Sequence, residues 1–294
     1  CRLELRQITD VILDEHDLAA LQLRGQRRQR QGRCLRLIRV ALRHRRLVIG
    51  GDGRQYRLGT GAVEAFSTYD TGHDLSSRFW HVPDSPFGND PTRCDPDNPI
   101  LPFIAPDLTA NVACQRHYLG LIAQALGQTG TDWAEKAEAS RAALVAQCFD
   151  ADDHFFYDRD RHGRLVRVQS DVLLRVLACE IGTADQFRTA LERYLLNTRK
   201  FFAKFPLTSI ALDDPRFDPN FAQNSWAGPS NFLTLIRTPH AFEHHGHHTE
   251  LTWIMQPTLA ALVDADRFPQ TLNPFTGAAG FTEKYSPSIL TLLD

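Results

Sequence analysis

Helix start and stop signals recur from residue 107 to the end of the chain, and they constrain its fold more than any other feature. Asp107 precedes apolar residues that share one helical face, as an N-cap residue does. Thr183 and Gln186 have the spacing of a capping box, and Pro287 suits the first turn of a last helix. These signals predict helices that begin near Asp107, Asp132, Ser170, Thr183, Pro229, Thr249 and Ser286.

Strand signals are few and local. The segments Phe155–Asp158 and Arg164–Val168 flank a turn at His162-Gly163, which predicts a small hairpin. Pro239 is expected to end the fifth helix, and Pro257 to kink the sixth. Since the repeating unit is a pair of antiparallel helices, the sequence predicts an all-α bundle or toroid and not a doubly wound sheet.

Composition and charge exclude several classes of protein. The 294 residues carry a formal net charge of −2, which argues against a nucleic-acid binder. The apolar run Leu173–Cys179 is interrupted by Arg175 and, like the others, is too short to span a membrane. The six cysteines lack the spacing of a zinc site or a disulfide framework. Reduced thiols and a cytoplasmic location are therefore expected.

The first 60 residues differ from the rest of the chain. Residues Arg24–Arg46 include ten arginines and no acid, which we interpret as a solvated arm or helix face and not as a nucleic-acid or membrane surface. A basic segment at 1–60 is predicted ahead of a catalytic domain at 61–294. Because residue 1 is Cys and not Met, the start of the protein is expected to be missing.

The run from Tyr69 to Trp80 is the most informative stretch for function. Its sequence, YDTGHDLSSRFW, sets acids, an arginine and aromatic rings beside a glycine turn. Aromatic rings can stack on a sugar, Arg78 can hold hydroxyl groups, and the carboxyl group of Asp74 can transfer a proton. The alternative is that Asp74 only caps a helix that begins at Leu75.

Three further segments have the residues of a polar site. They are the proline-rich loop at 81–106, the helix entry at Asn224–Asn231 and the stretch Asn273–Pro287. Such connections gather at one mouth of a helical toroid, which would bring Asp74 and Glu283 into one cleft. Two carboxyl groups across a cleft, one protonated and one ionised, are the minimal machinery for cleaving a glycosidic bond.

Residues 61–294 resemble the clan of (α/α)6-barrel glycosidases that includes trehalases, processing α-glucosidases and mannosylglycerate hydrolases. The resemblance rests on the Tyr69–Trp80 run, Trp226-Ala227-Gly228-Pro229, Asn273-Pro274-x-Thr276-Gly277 and Glu283-Lys284-Tyr285. It implies an (α/α)6 toroid in which Asp74 is the general acid and Glu283 the base. The candidate substrate-binding residues are Tyr69, Asp70, Arg78, Phe79, Trp80, Asn224, Trp226, Gly228 and Tyr285.

Some features depart from the clan's pattern. His73 replaces the usual tryptophan or similar ring before the acid, and Asp70 stands where glutamate is common. Glu283 is the weakest match, with pairing to Lys284 or solvent as the alternative. The fallback bases are Asp213, Asp214 and Glu243. The clan places several helices ahead of its acid, so we expect a barrel that is incomplete at its N-terminus.

Histidines crowd the segment from His240 to His248, which contains five of them. His240 and His244 have the i, i+4 spacing of metal ligands on a helix. However, Ala241 stands where a zinc hydrolase has glutamate, and Gly246 interrupts the helix. A solvated connection is therefore favoured, and no metal site is predicted.

The leading hypothesis is an inverting hydrolase that acts on an α-linked glucoside or mannoside, of trehalose, glucosylglycerate or mannosylglycerate type, without a cofactor. The expected partner is a small-molecule or oligosaccharide substrate, with neither nucleic acid nor a membrane, and the oligomeric state stays open. One alternative is a catalytically inactive toroid that binds carbohydrate or protein. Another is an epimerase or polysaccharide lyase on the same scaffold.

Overall fold

The computed structural model describes residues 58–80, 82, 101–128, 132–220 and 226–293. Apart from residues 124–128, these belong to one compact unit. The predicted basic segment, except for its last three positions, and residues 83–100 of the proline-rich loop lie outside the described residues. The candidate site residue Asn224 also lies outside them.

Helices dominate the described unit. A short 3-10 helix at Ser77–Phe79 precedes the first long helix. The α-helices are α1 (Pro106–Ala125), α2 (Trp133–Cys148), α3 (Val172–Leu177), α4 (Ala184–Ala190), α5 (Phe232–Leu235), α6 (Thr238–His244), α7 (His248–Asp264) and α8 (Ser286–Leu293). A π-helical turn, Leu191–Leu195, continues α4.

The local helix signals act largely as predicted. The capping box at α4 is confirmed, because the Thr183 hydroxyl accepts from the Gln186 N–H and the Gln186 side chain accepts from the Thr183 N–H. Pro257 lies inside α7. Pro239 lies in the first turn of α6, where its missing N–H costs no hydrogen bond. Pro239 therefore begins a helix instead of ending one, and that prediction was wrong.

Small antiparallel sheets connect the helices. The first sheet has the order β1 (Glu64–Ala65), β2 (Phe103–Ile104), β5 (Asp158–Arg159) and β6 (Leu165–Val166). Asp158 pairs with Val166 in this sheet, which confirms the predicted hairpin. A second sheet pairs β3 (Phe149–Asp150) with β4 (Phe155–Phe156). The third has the order β7 (Ser230–Asn231), β8 (Thr271–Leu272) and β9 (Ala279–Gly280). The expectation of helices with one hairpin was therefore incomplete.

Among the described residues, the hydrophobic core forms three clusters. The largest joins α1, α2, α3 and α4 around rings such as Phe155 and Phe187. A second, small cluster contains Phe79 and Phe103 and lies against the first sheet. The third lies between α5 and α7, with Tyr285 packed against it. None of the helices in the described part of the chain combines the length and the apolar character that crossing a membrane would require.

Candidate functional site

Asp74 stands at the tip of two successive turns. Gly72 has a φ of 71° and Leu75 a φ of 56°, so the backbone passes through the left-handed region on both sides of the acid. The short helix that follows is capped by Ser76, whose hydroxyl accepts from the Arg78 N–H at 3.3 Å. Asp74 therefore does not cap a helix, and its side chain is exposed.

The carboxyl group of Asp74 holds its proton more tightly than an ordinary aspartate. Partial burial raises its pKa, while the charge of Arg175 and a backbone hydrogen bond offset part of that effect. A raised pKa is what a general acid requires, since the group must stay protonated until it reaches the leaving oxygen.

Arg78 lies beneath that turn and is 1% exposed. Its guanidinium group donates twice to Asp158, at 3.1 and 2.9 Å, and twice to Asp107, at 3.3 and 2.9 Å. Nη1 also lies 2.7 Å from Nδ1 of His73. An arginine has five N–H donors, and all five are used. The prediction that Arg78 contacts substrate was therefore wrong, because no donor remains for a sugar hydroxyl.

His73 completes this arrangement as a buried, neutral ring. Arginine can only donate, so Nδ1 of His73 accepts and the ring proton is on Nε2, which lies 3.4 Å from Oδ1 of Asp171. Burial, followed by the charges of Arg175, Arg78 and Arg237, lowers the pKa of His73 well below its usual value. The ring departs from the clan's pattern and still has a defined role, as the acceptor for the fifth donor of Arg78.

A second arginine links the network to the turn. Nη1 of Arg175, on α3, donates to Asp107 at 2.9 Å and to the main-chain oxygen of Thr71 at 3.1 Å. Burial lowers the pKa of Arg175 to about 10. Although burial alone would raise the pKa of Asp107, the charges of Arg78 and Arg175 hold it below its usual value. The base of the Asp74 turn is thus fixed to both α1 and α3.

The two other acids of the network, Asp158 and Asp171, bind protons more readily than an ordinary aspartate. Burial raises the pKa of Asp158 and of Asp171 to about 6 in each case. Asp171 also accepts a 2.5 Å hydrogen bond from the Thr234 hydroxyl. Removing one partner from such a buried ionic network is costly, because it leaves another charge without compensation. The network therefore holds the Asp74 turn in one geometry.

Several other predicted contacts support the site from beneath. Phe79 is 2% exposed and packs against Phe103, so it belongs to the core and cannot touch a sugar. Trp226 is also 2% exposed, and its ring lies 4.3 Å from that of His73. Both predictions of direct substrate contact were wrong, because the rings are buried.

Asp70 and Gly228 have structural roles as well. Oδ2 of Asp70 accepts from the N–H groups of Phe66 and Ser67 at 2.6 and 3.2 Å, which closes the turn before Asp74. A Cβ atom on Gly228 would lie 2.7 Å from the main-chain oxygen of Asp218, so only glycine fits there. These contacts explain both residues without a bound sugar.

Exposed aromatic rings do lie on the same run as Asp74. Tyr69 is 46% exposed and Trp80 is 62% exposed. The guanidinium group of Arg216 lies over the Trp80 ring at 4.8 Å. Each ring offers apolar area that suits the face of a sugar.

The C-terminal segment carries the second candidate carboxylate. Burial raises the pKa of Tyr285, and the charges of Arg175 and Asp74 act on it in opposite directions as smaller causes. Glu283, two residues earlier, is 70% exposed and lies 3.5 Å from Arg267. The carboxylate of Glu283 thus pairs with a surface arginine, and its meeting with Asp74 in one cleft stays a prediction.

The fallback bases and the histidines have other partners. Asp213 pairs with Lys200 at 2.7 Å, Asp214 pairs with Arg216 at 3.2 Å, and Glu243 is exposed on α6. His240 lies 3.1 Å from Glu180. Within residues 58–293, as far as they are described, no group of three or more potential ligands could hold a metal ion.

Sequence reasoning missed most of the buried network. Asp107 was recognised only as a cap, and neither Asp158 nor Asp171 was singled out. One signal was present in the sequence, since Arg175 interrupts the apolar run Leu173–Cys179. A charged residue inside a buried helix needs buried acids as partners, so Arg175 pointed to a network.

Comparison with known proteins identifies relatives of this architecture. Residues 56–288 match the model of the mannosylglycerate hydrolase MGH1-like glycoside hydrolase domain. No curated protein matches the chain. An uncharacterized conserved protein from Thermus thermophilus is similar in structure, with a TM-score of 0.75 at 18% identity over 91% of this chain and 72% of that one.

Two enzymes are also similar in structure. The GH63 mannosylglycerate hydrolase from Thermus thermophilus, in complex with Tris and D-glycerate, gives a TM-score of 0.72 at 16% identity, over 92% of this chain and 73% of that one. The neutral trehalase of Saccharomyces cerevisiae gives a TM-score of 0.57 at 15% identity, over 76% of this chain and 40% of that one. At these identities the likeness concerns the fold alone, and both enzymes are (α/α)6-type glycoside hydrolases. The expected all-α toroid is not confirmed, because the described part of the chain also contains small sheets.

Proposed function

Because the chain belongs to the mannosylglycerate hydrolase MGH1-like glycoside hydrolase family, we propose that it cleaves an α-linked glucoside or mannoside with Asp74 as the general acid. The observation that carries this proposal is the geometry of the Asp74 turn. Its carboxyl group is exposed and has a raised pKa, while the residues beneath it are buried and paired. An acid needs this combination of access to substrate and a fixed position.

The proposed reaction uses two carboxyl groups with different tasks. Protonated Asp74 donates to the glycosidic oxygen as the bond to the leaving group breaks. An ionised carboxylate on the opposite face of the sugar removes a proton from the attacking water, and the anomeric configuration inverts. Glu283 is the first candidate for this base, because Glu283-Lys284-Tyr285 resembles the Glu-Lys-Tyr of trehalases and its carboxylate is largely exposed. Inversion requires a separation of about 6.5–9.5 Å between the two carboxyl groups when substrate is bound.

Substrate contacts are assigned to two exposed aromatic residues and to the half-buried Tyr285. Tyr69, Trp80 and Tyr285 are proposed to pack against the sugar rings, and Arg78 and Trp226 to hold the turn that carries Asp74. The solved mannosylglycerate hydrolase was crystallised with D-glycerate, and the fold is shared with a trehalase. Mannosylglycerate, glucosylglycerate and trehalose are accordingly the substrates to test first.

A substitution of the acid provides the main test. We expect Asp74→Asn to lower the rate by about 10²–10⁴-fold on whichever of these substrates the unmodified chain cleaves, which is the usual contribution of a general acid. Asp185→Asn is the matched control, because this exposed carboxylate pairs only with the nearby Arg188 in the described structure. Product release and the anomer first formed are followed by NMR. An unchanged rate in Asp74→Asn would refute the assignment.

The base is tested separately. If Glu283 activates water, Glu283→Gln loses a similar factor. Arg267→Gln, which removes the ion-pair partner of Glu283 and a hydrogen bond to the main-chain oxygen of Ala279, keeps the inverted product. A fully active Glu283→Gln would move the role of base to Asp213, Asp214 or another acid. It would leave Asp74 in place as the proton donor.

The alternative function is a catalytically inactive domain that binds carbohydrate. The observation that favours it is the state of Glu283, which is largely exposed and paired with Arg267. Calorimetry separates the two functions. Sugar binding without product from any of the three substrates would support the inactive domain and reject the hydrolase.

A further inference from the structure

A polar cavity has none of Asp74, Glu283 and Tyr285 in its walls, although the fallback bases Asp213 and Asp214 line it. Its volume is about 260 Å³, and it opens to solvent. Its walls come from the turn after β3, the end of the β5–β6 hairpin and the loop that contains Lys200 and Asp213. The residues that matter for its chemistry are Asp153, Tyr157, Arg167, Gln169, Lys200 and Asp213.

These side chains form one continuous hydrogen-bonded chain. Arg167 donates to Asp153 at 2.6 Å, and the Tyr157 hydroxyl donates to the same carboxylate oxygen at 2.9 Å. The amide of Gln169 donates to the Tyr157 hydroxyl at 3.2 Å and accepts from Lys200 at 2.8 Å. The polar groups of the cavity are therefore held in place before any ligand arrives, which lowers the entropic cost of binding.

Both cations that line the cavity, Arg167 and Lys200, are already paired with carboxylates, and Asp214 on its wall pairs with Arg216. Arg167 contacts Asp153 and Asp150, at 2.6 and 2.5 Å, and Lys200 contacts Asp213 at 2.7 Å. An anion would have to separate these pairs, and a cation would have to compete with Arg167 and Lys200. A neutral ligand faces neither cost, so the cavity favours uncharged polar groups.

The side chains that line the cavity still have hydrogen-bonding capacity that a ligand could use. Lys200 has three N–H donors, and the described residues use two of them, through Gln169 and Asp213. The amide nitrogen of Gln169 has two N–H groups, one of which goes to Tyr157. Carboxylate oxygens can each accept more than one hydrogen bond. Donors and acceptors thus alternate around the walls, and hydroxyl groups, which both donate and accept, match such a pattern.

We propose that this cavity is a second binding site for a neutral polyhydroxylated ligand, a monosaccharide unit or a polyol. The volume suits a ligand smaller than the drug-sized molecules that fill larger clefts. Tyr157 is 1% exposed, so its ring cannot stack on a sugar, and recognition relies on hydrogen bonds to hydroxyl groups. The site does not depend on catalysis by Asp74.

Calorimetric titration with methyl α-D-mannopyranoside tests the proposal, in an Asp74→Asn background that prevents turnover. Gln169→Leu removes the amide that links Tyr157 and Lys200. We expect this change to raise the Kd about tenfold, which corresponds to the loss of one or two hydrogen bonds. Gln256→Leu, at an exposed position on α7, is the matched control and should leave the Kd unchanged.

A second variant protects the test against misfolding. Asp213→Asn changes a carboxylate that is 38% exposed and removes the charge that orients Lys200. It should weaken sugar binding if Gln169→Leu fails to fold in a thermal melt. Absence of sugar binding, or binding that neither variant weakens, overturns the proposal. So does displacement of the sugar by inorganic phosphate, because it would show that the cavity selects an anion.

Discussion

Arg78→Lys separates two roles for this residue, substrate contact and support of the Asp74 turn. The guanidinium group donates five hydrogen bonds, two to Asp107, two to Asp158 and one to His73. An ammonium group keeps the positive charge but has only three N–H donors. At least two of the five hydrogen bonds are therefore lost, and all five acceptor atoms belong to buried residues.

The loss of stability follows from this count. A hydrogen bond to a charged group contributes about 1.5–3 kcal/mol. Two lost bonds correspond to about 3–6 kcal/mol, before any repacking around the shorter side chain. Native domains are stable by about 5–15 kcal/mol. Arg78→Lys is thus expected to leave a folded but strongly weakened protein, although the substitution conserves charge.

Urea unfolding measures this free energy, and a second arginine provides the control. Arg188 is 61% exposed and pairs with Asp185 on the surface of α4. Arg188→Lys should change the free energy of unfolding by less than about 0.5 kcal/mol. If Arg78→Lys lost less than about 1 kcal/mol and instead raised KM on a cleaved substrate, Arg78 would bind sugar and the structural interpretation would be refuted.

Two further predictions concern pH and close packing. A hydrogen bond from His240 lowers the pKa of Glu180 to about 2, and Glu180 in turn raises the pKa of His240. The stabilisation from His240 is fully present below its unfolded-state pKa of about 6.5 and is lost as pH rises through the folded-state value. The difference in unfolding free energy between the unmodified chain and His240→Gln should therefore be larger at about pH 5 than at about pH 8, and an equal difference at both would contradict the ion pair. Gly228→Ala places Cβ 2.7 Å from the main-chain oxygen of Asp218 and should cost at least about 1–3 kcal/mol. Gly120→Ala, where the nearest atom would be 3.5 Å away inside α1, should instead stabilise by about 0.5–1 kcal/mol, and thermal melts that show the same sign for both would contradict the contact argument.

The features of this fold that could be predicted from sequence are those whose interacting residues lie close together in the chain. The capping box at Thr183 involves residues three positions apart, and the hairpin around Gly163 joins neighbouring strands. Both can be inferred from sequence because all the interacting groups lie in one short window. The two-residue strands β1, β2, β7 and β8 could not be inferred, since a pair of residues is too short to show a period of two.

Within the candidate site, Asp74 could be singled out from the sequence, but the roles of its neighbours could not be predicted. Asp74 was singled out from its neighbours and is exposed, with a raised pKa. Arg78 and Trp226 were assigned to substrate from their chemistry, and both are buried. The partners of Arg78 lie 29 and 80 positions away in sequence. No short window contains Asp107 and Asp158, so the sequence could not show that the arginine's donors were already taken.

Donor count gives a physical criterion for this kind of assignment. An arginine near a catalytic acid can hold substrate only if some of its five N–H groups face the cleft. Here the left-handed backbone at Leu75 reverses the chain, so that Asp74 faces outward while His73 and Arg78 face the core. Once Arg78 is buried, each of its donors must find an acceptor, and Asp107 and Asp158 supply four. The histidine that replaces the clan's tryptophan supplies the fifth. His73→Phe should therefore leave one buried donor of Arg78 unpaired, while it keeps an aromatic ring beside Trp226. The hydrogen bond to His73, and not its ring, is thus the feature that fixes the turn beneath Asp74.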